Sequence, residues 1–126
     1  MLGSKGFTRV YVWNGDAWVQ RGLDIDGEAI GDHSGTAVSL SADGNIVAIG
    51  AYQNGSNGFD AGHLRVYAWN GSSWMKRGND IEGDASRDNL GYSVSLSSDG
   101  STIATGAIQQ AGGGTGYAKV FDWNGS

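Results

Sequence analysis

The sequence predicts an all-β fold of short antiparallel strands, and three observations carry that prediction. Glycine is abundant, with 23 residues in 126, while proline is absent. Runs rich in valine, isoleucine and aromatic residues alternate with Asn-Gly and Asp-Gly steps. One heptapeptide is written three times, as RVYVWNG at 9–15, RVYAWNG at 65–71 and KVFDWNG at 119–125. β-branched and aromatic residues fit strands, and Asn-Gly and Asp-Gly supply the positive-φ positions of tight hairpins. No segment carries a helical period, and glycine at this density would weaken a helix.

The repeat reaches well beyond the heptapeptide. Trp13 and Trp69 are 56 residues apart, and Trp69 and Trp123 are 54 apart. WNGDAWVQRGLDIDGEA at 13–29 aligns with WNGSSWMKRGNDIEGDA at 69–85. SGTAVSLSADGNIVAIGA at 34–51 aligns with LGYSVSLSSDGSTIATGA at 90–107. The chain therefore holds about two and a quarter copies of one unit, and a period of this size decides the architecture.

Each unit reads as four strands. Strand one is Ala37–Ser41, closed by a turn at Ala42-Asp43-Gly44. Strand two is Asn45–Gly50, followed by a long Gly/Asn loop at 51–62. Strand three is His63–Trp69, and a hairpin turn at 70–73 leads to strand four at Trp74–Gly78. Before this unit stand a strand three at Thr8–Trp13 and a strand four at Trp18–Gly22. After it come strands one, two and three at Ser93–Ser97, Thr102–Gly106 and Tyr117–Trp123. Nine strands result.

Four antiparallel strands linked by hairpins make one blade of a β-propeller. Val10 and Val12 alternate with Tyr11 and Trp13, so both faces of the sheet are apolar. Such a sheet needs a neighbour on each side. The expected organisation is a single repeat region over 1–126: a partial blade at 7–33, a full blade at 34–89 and a partial blade at 90–126. About two blades cannot close a ring, so completion by a homo-oligomer is expected. In it, the unpaired N-terminal strand four completes another chain's last blade, and one copy of strand three is redundant. The sequence breaks off in mid-blade, as a piece of a larger ring would.

With these residues in view, the repeat resembles the FG-GAP family, the blades of integrin α-subunit propellers and their bacterial relatives. HSGTAVSLS and NLGYSVSLS keep the family's glycine at Gly35 and Gly91, with Ser34 and Leu90 in place of its phenylalanine. AIGA and ATGA keep Gly50-Ala51 and Gly106-Ala107 and lack the family's proline. GHLRVYAW and GYAKVFDW match its third strand. The chain is also similar to bacterial and marine surface proteins with tandem VYxWNGSSW repeats. The resemblance implies an extracellular or cell-surface setting. Calcium-binding blades of the family carry an Asp-x-Asp-x-Asp-Gly loop between strands one and two. Here that loop is SADGN at 41–45 and SSDGS at 97–101, one carboxylate in a tight turn rather than a cage.

Charge and composition narrow the function classes. Eight basic and 13 acidic residues give a net charge of −5, against nucleic acid or an anionic membrane as partner. The absence of cysteine excludes disulfides and thiolate metal sites. No run approaches transmembrane length, and MLGSKG has no apolar stretch of the kind a signal peptide needs.

Three groups of residues are candidates for binding. The loop from strand four to the next strand one carries Asp24, Asp26 and Glu28 in one copy and Asp80, Glu82 and Asp84 in the next. DIDGE has alternating oxygen ligands before a glycine, which makes these six the candidate calcium ligands, against the reading that they cap turns and solubilise a rim. The pairs Trp13/Trp18 and Trp69/Trp74 flank the hairpin turns, where cross-strand aromatic pairs stabilise a sheet. Trp18 and Trp74 are also candidates for sugar stacking. The loop 51–62 differs most between copies, and variable loops on a rigid scaffold carry specificity. Tyr52, Asn54, Asn57, Phe59 and Asp60 are its candidate ligand-binding residues.

No nucleophile–base arrangement, cofactor motif or phosphate loop is present, so no enzyme and no cofactor are expected. A carboxylate hydrolase using Asp26 and Asp32 is the weakest alternative, because the same acids recur in each repeat. The expected function is a non-catalytic repeat module of a surface or secreted adhesion protein, binding glycan or protein ligands through loops on one face. The alternative is a structural or engineered fragment that assembles into a ring and has no ligand of its own.

Overall fold

The computed structural model describes residues 3–109 and 114–125. Residues 110–113, which include the start of the GGGTG run, lie outside the described residues. The fold is all-β, and no helix forms among the described residues.

Among the described residues twelve strands form: β1 (Phe7–Thr8), β2 (Tyr11–Trp13), β3 (Trp18–Gln20), β4 (Ile25–Asp26), β5 (Ala37–Leu40), β6 (Ile46–Ala51), β7 (His63–Trp69), β8 (Trp74–Lys76), β9 (Ile81–Glu82), β10 (Leu90–Leu96), β11 (Thr102–Ala107) and β12 (Tyr117–Asp122). Every strand pairing is antiparallel. The central sheet runs β5-β6-β7-β8, and β9 also pairs with β7. β10-β11-β12 make a three-stranded sheet, while β2-β3 and β1-β4 are two short ribbons. No sheet closes into a barrel among the described residues.

Two of the three additional strands relative to the sequence reading have one cause. Strand four continues past its expected end. It bends at Gly78 (φ 80°) and pairs again as β9, so β8 and β9 lie along one edge of β7. Gly22 (φ 77°) does the same between β3 and β4. The acidic connectors, read from sequence as loops, therefore begin as strand. The expected single strand at Thr8–Trp13 appears as β1 and β2, interrupted at Arg9 and Val10. Among the described residues β1 pairs only with β4, and β2 only with β3. The strand expected from Ser93 starts at Leu90, with an irregularity between Leu90 and Ser93 that the sequence does not signal.

Repeat-equivalent strands pair in equivalent register. Val47 faces Tyr67 across β6 and β7, and Ile103 faces Phe121 across β11 and β12. Trp69 faces Trp74, and Trp13 faces Trp18. The rings of these pairs are 5.3 Å and 5.5 Å apart, the cross-strand contact the sequence predicts.

Alternation along β6 explains how the sheets stack. Ile46 and Ala48 point to one side, into a cluster with Leu64, Val66, Ile103, Ile81, Val94 and Leu96. Val47 and Ile49 point to the other, against Ile25, Tyr67 and Trp74. The central sheet is thus covered by β10–β11 on one face and by the β4 segment on the other, as a strand apolar on both faces requires. The stacked sheets come so close that a methyl group on Gly50 would overlap the Gly91 carbonyl. Parallel bridges from Gly6 to Ser34 and from Gly62 to Leu90 tie successive repeats together.

Candidate ligand-binding site

The connector following β3 and the hairpin β7–β8 enclose a cleft of about 450 Å³. Its wall of Tyr67 and Trp74 comes from the central sheet, and Asp24 and Asp26 come from the acidic connector. Ser72 and Ser73, in the hairpin turn, add hydroxyls, and Leu23 stands at the lip, 86% exposed. The volume lies in the range of small-molecule sites.

Each side of the cleft is fixed by local sequence. Asn70 accepts hydrogen bonds from the Ser72 and Ser73 amides at 2.9 and 2.8 Å, which closes the turn beside Trp74. The Trp74 indole Nε1 donates to the Arg21 carbonyl at 2.8 Å. Trp69 and Trp74 both lie against Gly22, where a Cβ would meet their rings at 2.8 and 2.9 Å. The Arg21 guanidinium stands over the Trp69 ring at 5.4 Å. Asp24 accepts from Arg9 Nε and Nη2 at 2.8 and 3.1 Å and from Gln20 at 2.7 Å. The Arg9 hydrogen bond, then that of Gln20, holds its carboxyl below the usual carboxylate range.

The remaining acidic candidates are drawn into ion pairs and turns. Arg65 bridges Asp80 of its own sheet, at 2.9 Å, to Glu28 of the preceding connector, at 2.6 Å. Lys76 also pairs with Asp80. In the next repeat Lys119 pairs with Asp84, the counterpart of Glu28. Glu82 faces His63 across the β7–β9 pair. Among the described residues, no three His, Cys, Asp or Glu side chains gather in a way that would hold a metal ion. The residues do not fit a calcium cage, since most of these carboxylates are already matched to a cation. In the turns between strands one and two, Asp43 accepts from Ser41 Oγ and the Asn45 amide. Asp99 accepts from Ser97, the Ser101 amide and Ser101 Oγ, and these bonds, the Ser101 hydroxyl first, pull it down to about 2.

The variable loop is a brace more than a free surface. The Asn54 side chain is buried and donates to Asp32 at 2.7 Å and to Glu28 at 3.0 Å. Asn57 donates to the Gly83 carbonyl, so the loop links two successive connectors. The Asp60 carbonyl accepts from the Asn89 amide and side chain. Tyr52 stacks on His33 at 5.7 Å and meets Tyr92 edge-on at 5.3 Å. Phe59 stays 67% exposed beneath the Arg87 guanidinium. Asp32 and Asp88 each accept an amide hydrogen bond within their connector, from Ala29 and Ala85. Tyr117 donates to Asp88 at 2.6 Å, and burial followed by this bond pushes the phenol up to about 12.

His63 is buried and its Nδ1 has no hydrogen-bond partner among the described residues. Asp80 lies 3.9 Å away and favours the charged ring. Burial and the Arg65 guanidinium outweigh it, and the imidazole is held below its ordinary value.

The structure thus brings Asp24, Asp26 and Trp74 together and leaves Trp18 apart, on an open face at 67% exposure. Sequence reasoning missed Tyr67 and the two serines. The signal was present in the alternation of β7, which sends Tyr67 and Trp69 to one face. No family model matches this chain, and no curated protein matches it.

Proposed function

We propose that the chain is a non-catalytic module of propeller-type blades, of the FG-GAP kind, from a surface or secreted adhesion protein, and that it binds carbohydrate in the cleft between its first ribbons and its central sheet. The observation that carries the reading is the meeting of Trp74 and Tyr67 with Asp24 and Asp26 around one cavity. An indole face packs the apolar C–H face of a sugar, while carboxylates accept hydrogen bonds from its hydroxyls. The blade reading is supported by the twofold use of one register and by the apolar clusters on both faces of the central sheet. The non-catalytic reading is supported by Asp32, which is buried and bonded to Asn54 and the Ala29 amide rather than open to a substrate. Several such clefts along an assembly would add weak individual affinities.

A glycan array followed by calorimetry tests this. Binding of a saccharide should weaken about tenfold or more in Trp74→Ala, the scale of one buried contact of about 1.4 kcal/mol or more. Asp26→Asn, at an exposed position, should weaken it without loss of fold. Met75→Ala, on the opposite face of β8 and outside the cleft, should leave it unchanged. No saccharide bound, or equal loss in Met75→Ala and Trp74→Ala, contradicts the site.

A further inference from the structure

At each end of the stack the described residues leave an apolar face exposed, and the interior of the chain shows what covers such faces. In the central interface, Val94 and Leu96 of β10 pack on Ile46, Ala48, Leu64 and Val66. Their repeat counterparts on β5 are Val38 and Leu40. These face the first ribbons, where among the described residues no strand stands in the place of β6, and they are 51% and 47% exposed. A notch of about 280 Å³ lies between them and the edge formed by Thr8–Tyr11. At the other end, Ala104, Ala118 and Val120 are the counterparts of Ala48, Leu64 and Val66. They are exposed, Val120 to 67% against 7% for Val66. Along β7 the outer edge is paired by β8 and β9, whereas β12 pairs only with β11 among the described residues.

We propose that a second copy of this chain fills the notch by strand exchange. The β10–β12 sheet of one molecule enters, and β12 takes the place of β1–β2. The receiving molecule's β3–β4 then becomes the fourth strand of the entering sheet. Val120 moves into the site of Val10, which is 7% exposed in the single chain. Trp18 pairs with Trp123 as Trp74 pairs with Trp69. It then lies over Gly78 and Arg77, where Trp123 already packs. Lys119 meets Asp24 as Arg65 meets Asp80. Simple stacking of the two open ends does none of this, because the three-stranded sheet has no Arg-Gly bend for Trp13 and Trp18 to rest on. β12 is the strand that stays, because Tyr117 donates to Asp88 and its counterpart, Phe7, has no hydroxyl.

Each copy gives one end and receives at the other, so the contact is head-to-tail and closes into a ring when the rotation permits. Two completed sheets per copy and the usual range of about four to eight blades give about two to four copies. The proposal is independent of the carbohydrate cleft.

Cysteine trapping tests it in a chain that has no cysteine of its own. The central-sheet register places Asp122 opposite Val19 across the exchanged pair, as Ala68 stands opposite Met75. Cross-strand Cα atoms are about 4.5–5.5 Å apart, within disulfide reach. Within one molecule the two residues belong to different sheets, with the central sheet between them. Oxidised Val19→Cys/Asp122→Cys should give a ladder of linked dimers and larger species, reversed by reductant, and neither single variant should give it. Both sites are exposed, so the fold should persist. No linkage beyond that of the single variants overturns the proposal. Linkage through Val12→Cys/Thr102→Cys instead also overturns it, since β12 would then be the strand that leaves.

Discussion

Gly50→Ala is expected to destabilise the fold by about 3 kcal/mol or more, the upper end of overpacking a close contact. Gly50 has no left-handed backbone, so the effect is purely steric. Its missing Cβ is where the Gly91 carbonyl of the next sheet sits, with the carbonyl carbon at 2.9 Å and the Gly91 Cα at 3.2 Å. Those are backbone atoms tied into β10, and they cannot swing aside as a side chain would. Gly106 is the same residue one repeat later, and there, among the described residues, a Cβ meets only Ser93 Oγ, at 2.7 Å. Gly106→Ala should therefore leave each molecule folded and weaken only the contact between copies. Urea unfolding followed by tryptophan fluorescence separates the two variants. A Gly50→Ala midpoint equal to that of the parent chain would show that the sheets do not press together at Gly50.

Leu64→Ala is expected to remove about 2–5 kcal/mol, the range for truncating a fully buried leucine. Leu64 is 0% exposed and sits among Ala48, Val66 and Ile103, between the central sheet and the next. Small domains have about 5–15 kcal/mol in total, so this variant should lose much of its folded population on mild heating. Met75, on the same sheet but 55% exposed, serves as comparison. Met75→Ala should shift stability by no more than about 0.5 kcal/mol. A thermal melt in which the two variants coincide would place the core elsewhere.

Much of this architecture was legible in the sequence because the repeat is a physical constraint. His63–Trp69 was bounded correctly because Gly62 and Asn70 punctuate it and its apolar residues alternate. The hairpin at 70–73 was legible because an Asn-Gly step in that position has few other uses. β4 and β9 were not, since two residues of strand after a glycine bend carry no periodic signal, and Asp-Ile-Asp reads as loop. The cleft was half legible. Trp74 and the acids stood out by type, but their meeting depends on how sheets stack, which no local pattern encodes. Asn54 shows the opposite difficulty. A polar residue in a variable loop reads as exposed, yet it is buried because two carboxylates of the preceding connector need its amide.

Light scattering on the purified chain, across a range of concentrations, tests the central claim that these sheets require a neighbour on each face. One chain weighs 13.1 kDa. One discrete species of about two to four chains is expected, with no free monomer at working concentration. A single 13.1 kDa species at every concentration, melting cooperatively with Val38, Leu40 and Val120 left in water, would contradict it.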